Sequence, residues 1–246
     1  MPLKLLCVTA HPDDECFAFG GALALAVESG VEVSVVCLTD GQAATNRGTA
    51  ATPAELGSMR RKEFAASCEL LGITRHELLK YQDAQLENAN FAEVAEILVE
   101  RIRAWRPDVV LTFGGDGALN THPDHSMVSF FTTAAYHWAG RPKRYPKQLE
   151  DGLQTHCPQR LYFQTTNFLL PDRPPLLPAP YTVTLDIRSV LEKKLAAFRL
   201  HTSQAPLVEK TKDVFAKYGN EEHYVLAAAS KPQAAVQMTD LFEGLA

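Results

Sequence analysis

Two short stretches of this chain concentrate residues that can bind a cation and move a proton. "AHPDDECF" (Ala10 to Phe17) puts His11, Asp13, Asp14 and Glu15 within five positions, and "GGDGALNTHPDHS" (Gly114 to Ser126) carries His122, Asp124 and His125. Each follows an apolar run that reads as a buried strand. Charge at a buried strand end is costly unless it is paired, hydrogen-bonded or bound to a metal. His11 and Asp14 are three apart, with Pro12 holding the backbone extended between them. Together with His125 they form two imidazoles and one carboxylate, a set that leaves coordination positions open for water and substrate. That is the donor pattern of a catalytic zinc site, and zinc-bound water can ionise near neutral pH. Two groups then remain beside the metal. Asp13 is free to act as a general base. His122, as imidazolium, would stabilise an oxyanion or protonate a leaving amine. Asp124 would orient His122 or cap the following helix. Base, acid and ligands are what hydrolysis of an amide requires.

The same donors also make the facial triad of a non-haem iron oxygenase. A metal-dependent binding protein without turnover is the third reading. A dinucleotide-binding dehydrogenase is disfavoured, because no GxGxxG follows the first strand.

The elements that must position these residues alternate. "LKLLCVTA" (Leu3 to Ala10), "VEVSVVCLT" (Val31 to Thr39), "HELLKY" (His76 to Tyr81) and "DVVLTFGG" (Asp108 to Gly115) read as strands. Helical patterns lie between them at Gly20 to Gly30, Thr52 to Gly72 and Asn90 to Pro107, and one follows at Pro123 to Gly140. The second of these has Thr52 as N-cap, Pro53 at the first position, Glu55 in a capping box and Gly72 as stop. Such alternation predicts a Rossmann-like layered α/β/α fold with a mostly parallel sheet. With strand order 3-2-1-4, the two histidine-rich loops would face each other at the carboxyl edge, where open α/β sheets bind ligands. The carboxyl-terminal half reads as irregular. Strands are expected at Arg160 to Thr165, Tyr181 to Ile187 and Glu222 to Ala228, and a helix from Ser189 to about His201. The whole chain, 1–246, reads as a single domain, with the proline-rich 140–180 region an insertion that shapes the site.

The two motifs in this order and context resemble the LmbE-like, PIG-L type zinc-dependent N-acetylglucosaminyl deacetylases. The resemblance covers roughly the first 130 residues, including "TDG" at Thr39 to Gly41 and "RRKEFAASCELLG". It implies His11, Asp14 and His125 as zinc ligands and Asp13 as general base. His122 is implied as the acid or oxyanion-stabilising group, with Asp124 as its partner. Ferrous iron is the alternative metal. Arg60, three before Glu63, is the implied substrate-binding arginine. "KKLAAFRLHTSQ" brings His201 and Gln204 toward the substrate by the same resemblance. Where some members have a tyrosine two residues before the first histidine of HPDH, this chain has Asn120, set here among the substrate-facing residues. The implied substrate is an N-acetylated amino sugar or an N-acetylglucosamine conjugate, and the implied assembly a homo-oligomer. Glu15 is expected to start the next helix or hold a ligand in place, and Cys16 to pack at that helix start.

Composition narrows the class. The chain of 246 residues is 46% hydrophobic and 22% charged, with formal net charge −5. That is an ordinary globular balance and lacks the basic stripe of a nucleic-acid binder. No run of roughly 18 apolar residues is present for a membrane span, and the amino-terminal apolar run does not read as a signal peptide. There are five cysteines without a CxxC pair. Cys7, Cys37 and Cys68 fall in apolar patterns, which favours core thiols in a reducing cytoplasm.

Overall fold

The computed structural model describes residues 2–169, 178–234 and 236–245. Part of the expected 140–180 insertion, residues 170–177, lies outside them. In chain order the elements are β1 (Lys4–Thr9), α1 (Asp14–Phe17), α2 (Gly20–Glu28), β2 (Glu32–Thr39), α3 (Pro53–Leu71), β3 (Arg75–Tyr81), α4 (Phe91–Trp105), β4 (Val109–Phe113), α5 (Pro123–Ala139), α6 (Pro146–Glu150), β5 (Arg160–Thr165), β6 (Val183–Asp186), α7 (Leu191–Arg199), α8 (Ala205–Tyr218) and β7 (Glu221–Ala229).

The sheet runs β3-β2-β1-β4-β5-β7-β6. Its first five strands are parallel, and β7 is antiparallel to both neighbours. The expected 3-2-1-4 order is therefore present. β1 sits between β2 and β4, in register through Leu5 with Val33 on one side and Val109 on the other. Valine- and leucine-rich strands form here because helices cover both faces and leave no strand side for polar residues. One apolar cluster joins Leu5, Cys7, Val33, Val35 and Leu111 to α2, α3 and α7 through Leu23, Phe64, Cys68 and Phe198. The other joins Leu6, Val8, Val36 and Val110 to α4 and α5 through Leu98, Ile102, Val128 and Phe131. Each large apolar side chain so buried contributes roughly 1.5–3 kcal/mol.

Local chemistry sets the ends of α3 as expected. The Glu55 amide donates to the Thr52 hydroxyl, 3.2 Å, and the Glu55 carboxylate accepts from Ala51 N, 2.8 Å. Gly72 closes the helix at φ 82°.

The carboxyl-terminal half is more regular than its sequence suggests. β5, expected within or beside an insertion, pairs with β4 from Arg160 to Gln164 and extends the parallel sheet. The helix expected from Ser189 to about His201 is α7, which stops at Arg199; a short turn at Thr202–Gln204 leads into α8, a helix not among the expected elements. The missed signal is apolar spacing at Leu207, Val208, Val214, Phe215 and Tyr218, interrupted by lysines and acids.

Candidate metal centre and active site

Three loops at the carboxyl edge of the sheet, after β1, β3 and β4, converge around His11. The Asp14 carboxylate folds the β1 loop back on itself, its Oδ2 accepting from Ala10 N at 3.0 Å and His11 N at 2.8 Å. Its Oδ1 then faces His125 Nε2 across 3.3 Å. His11 turns Nδ1 toward Asp14 Oδ2, 3.7 Å away. His125 is fixed from behind: its Nδ1 lies 3.3 Å from the Gly117 carbonyl and its ring stacks on Phe113 at 3.9 Å. The Gly117 turn has φ 81°, and a Cβ there would lie 2.8 Å from the His122 carbonyl oxygen, so only glycine allows it. Donor atoms of His11, Asp14 and His125 thus lie within 4.8 Å of one another, close enough to bind one ion.

Two carboxylates complete the His11 side. Asp83, from the loop after β3, is 3.0 Å from Nε2, and Asp124 is 3.3 Å from it. With Nε2–H donated to carboxylates, the Nδ1 lone pair is free for a metal, an arrangement that orients the ring and raises its basicity. Without an ion, burial works against a charge on His11, but Asp124 and Asp83 outweigh it and lift the imidazole to about 10, so a metal would displace the Nδ1 proton. Asp14, Asp83 and Asp124 gather around His11, and Asp13 pairs with Arg60, so the centre is rich in carboxylates. A divalent cation suits both the donor set and the field.

Asp13 stands apart from the ligands. Its backbone adopts φ 109°, which a non-glycine residue holds only when its surroundings enforce it. Glu15 does so: its Oε2 accepts from Asp13 N at 2.9 Å, while Oε1 accepts from Ser67 at 2.6 Å and from His201 Nε2 at 2.8 Å. Burial raises the Asp13 carboxyl to about 6, against the pull of Arg60 at 2.9 Å. Arg60 also donates to the Pro12 carbonyl and, at 3.0 Å, to Gly41 O. The glycine of "TDG" makes room for it, since a Cβ on Gly41 would lie 2.1 Å from Arg60 Nη1.

His122 caps α5, its Nδ1 accepting from Asp124 N at 3.1 Å. An amide N–H can only donate, so Nδ1 is unprotonated and the ring's proton sits on Nε2. Burial, together with His11 and His125 nearby, holds His122 below the usual histidine value. The ring is a neutral donor, and the imidazolium expected from sequence is disfavoured.

Other expected roles also change. The Asp124 carboxylate accepts from Ala84 N at 2.7 Å and Leu86 N at 3.1 Å besides touching His11, and none of its hydrogen bonds goes to His122. It positions His11 and ties the β3 loop to α5. His201 is fully buried and does not line the cavity; its contact is Glu15, so it is a positioning residue beneath the site and not a substrate contact. Arg60 borders the cavity; its Nη groups donate to Asp13, Pro12 and Gly41, while its buried Nε–H has no partner among the described residues. Asn120 and Gln204 do line the cavity, Gln204 beside Asn46. Glu63 accepts from Thr202 and from Ser203 N and Oγ, which anchors the segment carrying Gln204. Cys16 is packed, its thiol on the Asp13 carbonyl at 3.1 Å. Asp83 was not singled out from sequence. The available signal was its place just after a parallel strand's carboxyl end, as for the other two loops.

All of this opens into one cavity of about 400 Å³, within the range of small-ligand sites. Among the described residues no helix is long and apolar enough to cross a membrane.

The chain has clear relatives. The 1D-myo-inositol 2-acetamido-2-deoxy-alpha-D-glucopyranoside deacetylase of Actinosynnema mirum is 32% identical in an alignment 281 positions long, gaps included, that covers 99% of this chain and 98% of that protein. The solved structure of N,N'-diacetylchitobiose deacetylase from Pyrococcus horikoshii, complexed with an inhibitor, superposes with TM-score 0.75 at 26% identity, over 90% of this chain and 82% of that one. A 4-carboxy-2-hydroxymuconate hydratase from Pseudomonas putida shares the fold, with TM-score 0.71 at 22% identity over 94% and 99% of the two chains. A model of the GlcNAc-PI de-N-acetylase family, PIG-L, matches residues 6–136, the stretch from β1 into α5 that contains both histidine motifs. By that match and by its near-full-length relative, the chain belongs to the PIG-L family of GlcNAc-PI de-N-acetylases.

Proposed function

We propose that the protein is a zinc-dependent hydrolase that removes the acetyl group from an N-acetylated amino sugar carried in an N-acetylglucosamine conjugate. The observation that carries this reading is the convergence, in one cavity, of the His11, Asp14 and His125 donors with an unliganded carboxylate and a neutral imidazole donor. The names of the relatives, deacetylases of acetamido sugars, point the same way.

Zinc bound to His11, Asp14 and His125 would supply a Lewis acid for the acetyl carbonyl and lower the pKa of water; ferrous iron fits the same donors. Asp13, held beside the ligands by Glu15 and Arg60, takes the proton from the attacking water. Nε2–H of His122 donates to the oxyanion that develops on the carbonyl. As the C–N bond breaks, the proton on Asp13 passes to the leaving amine, giving acetate and a free amino sugar. The buried free thiols Cys7, Cys16, Cys37 and Cys68 suit a reducing cytoplasm.

The test is acetate release from a panel of N-acetylglucosamine conjugates by the zinc-loaded protein and by Asp13→Asn. Asparagine tolerates positive φ, so the variant should fold and retain zinc while losing about 10²–10⁴ in kcat. Full turnover in the variant would remove Asp13 as base. No acetate from any conjugate would overturn the reading as a whole.

A further inference from the structure

The cavity continues well past the metal centre, and its far part has a different chemistry. Beyond Gln164 and Thr165 it is walled by Phe17 of α1, Phe168, and the α8 side chains Leu207, Val214, Phe215 and Tyr218. α8 is amphipathic, yet none of its residues is buried. Leu207, Val208 and Phe215 rest partly on the core, and Leu207, Val214, Phe215 and Tyr218 border the cavity. Phe168 and Tyr218 stack flat at 4.0 Å and 5°, making an aromatic wall.

The polar side chains of this lobe have protein partners, His223 standing 3.1 Å from the Thr184 hydroxyl and 3.5 Å from the Glu221 carboxylate. Thr211 donates to Leu207 O at 2.8 Å, Thr165 to Ala179 O at 3.2 Å, and the Gln164 amide to Thr165 O at 2.7 Å. The buried charges are matched as well: Lys194 Nζ lies 2.6 Å from Glu222, which also accepts from Gly21 N and Ala22 N at the start of α2. A polyol would find few free partners here, and an anionic group would meet no unpaired cation.

Resting on the deacetylase reading above, we propose that this lobe binds an apolar aglycone, so that the preferred substrates are N-acetylglucosamine glycosides of an alkyl or aryl alcohol. The amide end of the sugar sits at the metal centre, and the hydrophobic group runs under α8. Continuity of the two parts in one cavity supports this placement, as does the change from free donors at one end to apolar walls at the other.

The experiment compares methyl, butyl, hexyl and octyl N-acetylglucosaminides, in both anomers, with the inositol and malate conjugates. Acetate release gives kcat/KM, and calorimetry on the same compounds gives affinity, both with the zinc-loaded full chain. The expected result is a rise of roughly fourfold per added methylene until the lobe fills, and alkyl glycosides ahead of the inositol and malate conjugates. Val214→Glu, on a half-exposed helix face, should flatten the series; Leu207→Gln, a milder change, repeats the test. Affinity and turnover that do not depend on chain length would overturn the lobe assignment, as would preference for a polyol or anionic conjugate, while leaving deacetylation intact. Length-dependent affinity without acetate release would sustain the lobe and refute the deacetylase reading.

Discussion

Glu15 is the residue on which the geometry of the base depends, and Glu15→Gln tests it. The carboxylate is fully buried and accepts from Asp13 N, Ser67 and His201. A glutamine of the same size has one oxygen and one NH₂. Whichever way the amide turns, a donor faces the donors now bound by Oε2 or Oε1. The loss combines a charge-assisted hydrogen bond, about 1.5–3 kcal/mol, with a buried half of the His201 ion pair, about 3–5 kcal/mol for the broken pair as a whole. The two overlap, so the expected destabilisation is about 3–5 kcal/mol. That lowers Tm by roughly 10 °C in a chain of this size and leaves most proteins folded.

Denaturant unfolding at fixed zinc excess measures that change, and kcat on the metal-loaded variant should fall with it, because Asp13 loses the bond that holds its φ at 109°. The pH dependence has a defined sign. Burial disfavours the charge on His201, yet Glu15 raises its pKa above 6.5, so its contribution is complete below that value and is lost as pH climbs through the raised one. Burial likewise opposes the charge on Glu15, yet His201 lowers its pKa below 4.5, so its contribution is present above 4.5 and is lost as pH falls through the lowered one. The stability difference between wild type and variant should therefore be largest between about 4.5 and 6.5 and shrink on both sides. A variant within about 0.5 kcal/mol of wild type, with kcat unchanged, would refute the reasoning.

Three other substitutions probe the site. Asp83→Asn should weaken zinc binding about 10- to 100-fold by loosening His11, read by chelator competition; unchanged affinity would assign the task to Asp124 alone. His122→Asn keeps an N-cap for α5 but removes the Nε2 donor, so kcat should fall about 10²–10³-fold with little change in Tm; equal losses in both would make His122 a structural cap. Gly41→Ala forces a Cβ into Arg60 at positive φ, and should cost about 1–3 kcal/mol and much of the turnover, visible in unfolding and acetate-release assays. Normal turnover would show that Arg60 need not contact Asp13.

How far the chain could be read without coordinates differs from feature to feature. β1, β2 and β4 were legible because strands buried on both faces must be nearly all apolar, and that constraint is local. α3 was legible because its caps are written in neighbouring residues. The loops bearing His11, Asp13, Asp14, His122 and His125 were legible because a parallel sheet sends the carboxyl ends of its strands to one edge. α8 was not, because half-buried apolar positions against a cavity give a weak stripe that lysines and acids dilute.

Partnerships across the fold lay beyond the sequence for a physical reason. His11 meets Asp124 across 113 positions and Glu15 meets His201 across 186. Which carboxylate reaches which imidazole is decided by where separate loops cross above the sheet and by which groups burial leaves in need of a partner. The layered fold, the edge that bears the site and the residue types gathered there can be read along the chain, because each rests on local patterning. Long-range packing is what sets Asp124 and Asp83 on His11, Arg60 on Asp13 and His201 on Glu15, and what lines the far part of the cavity with α8.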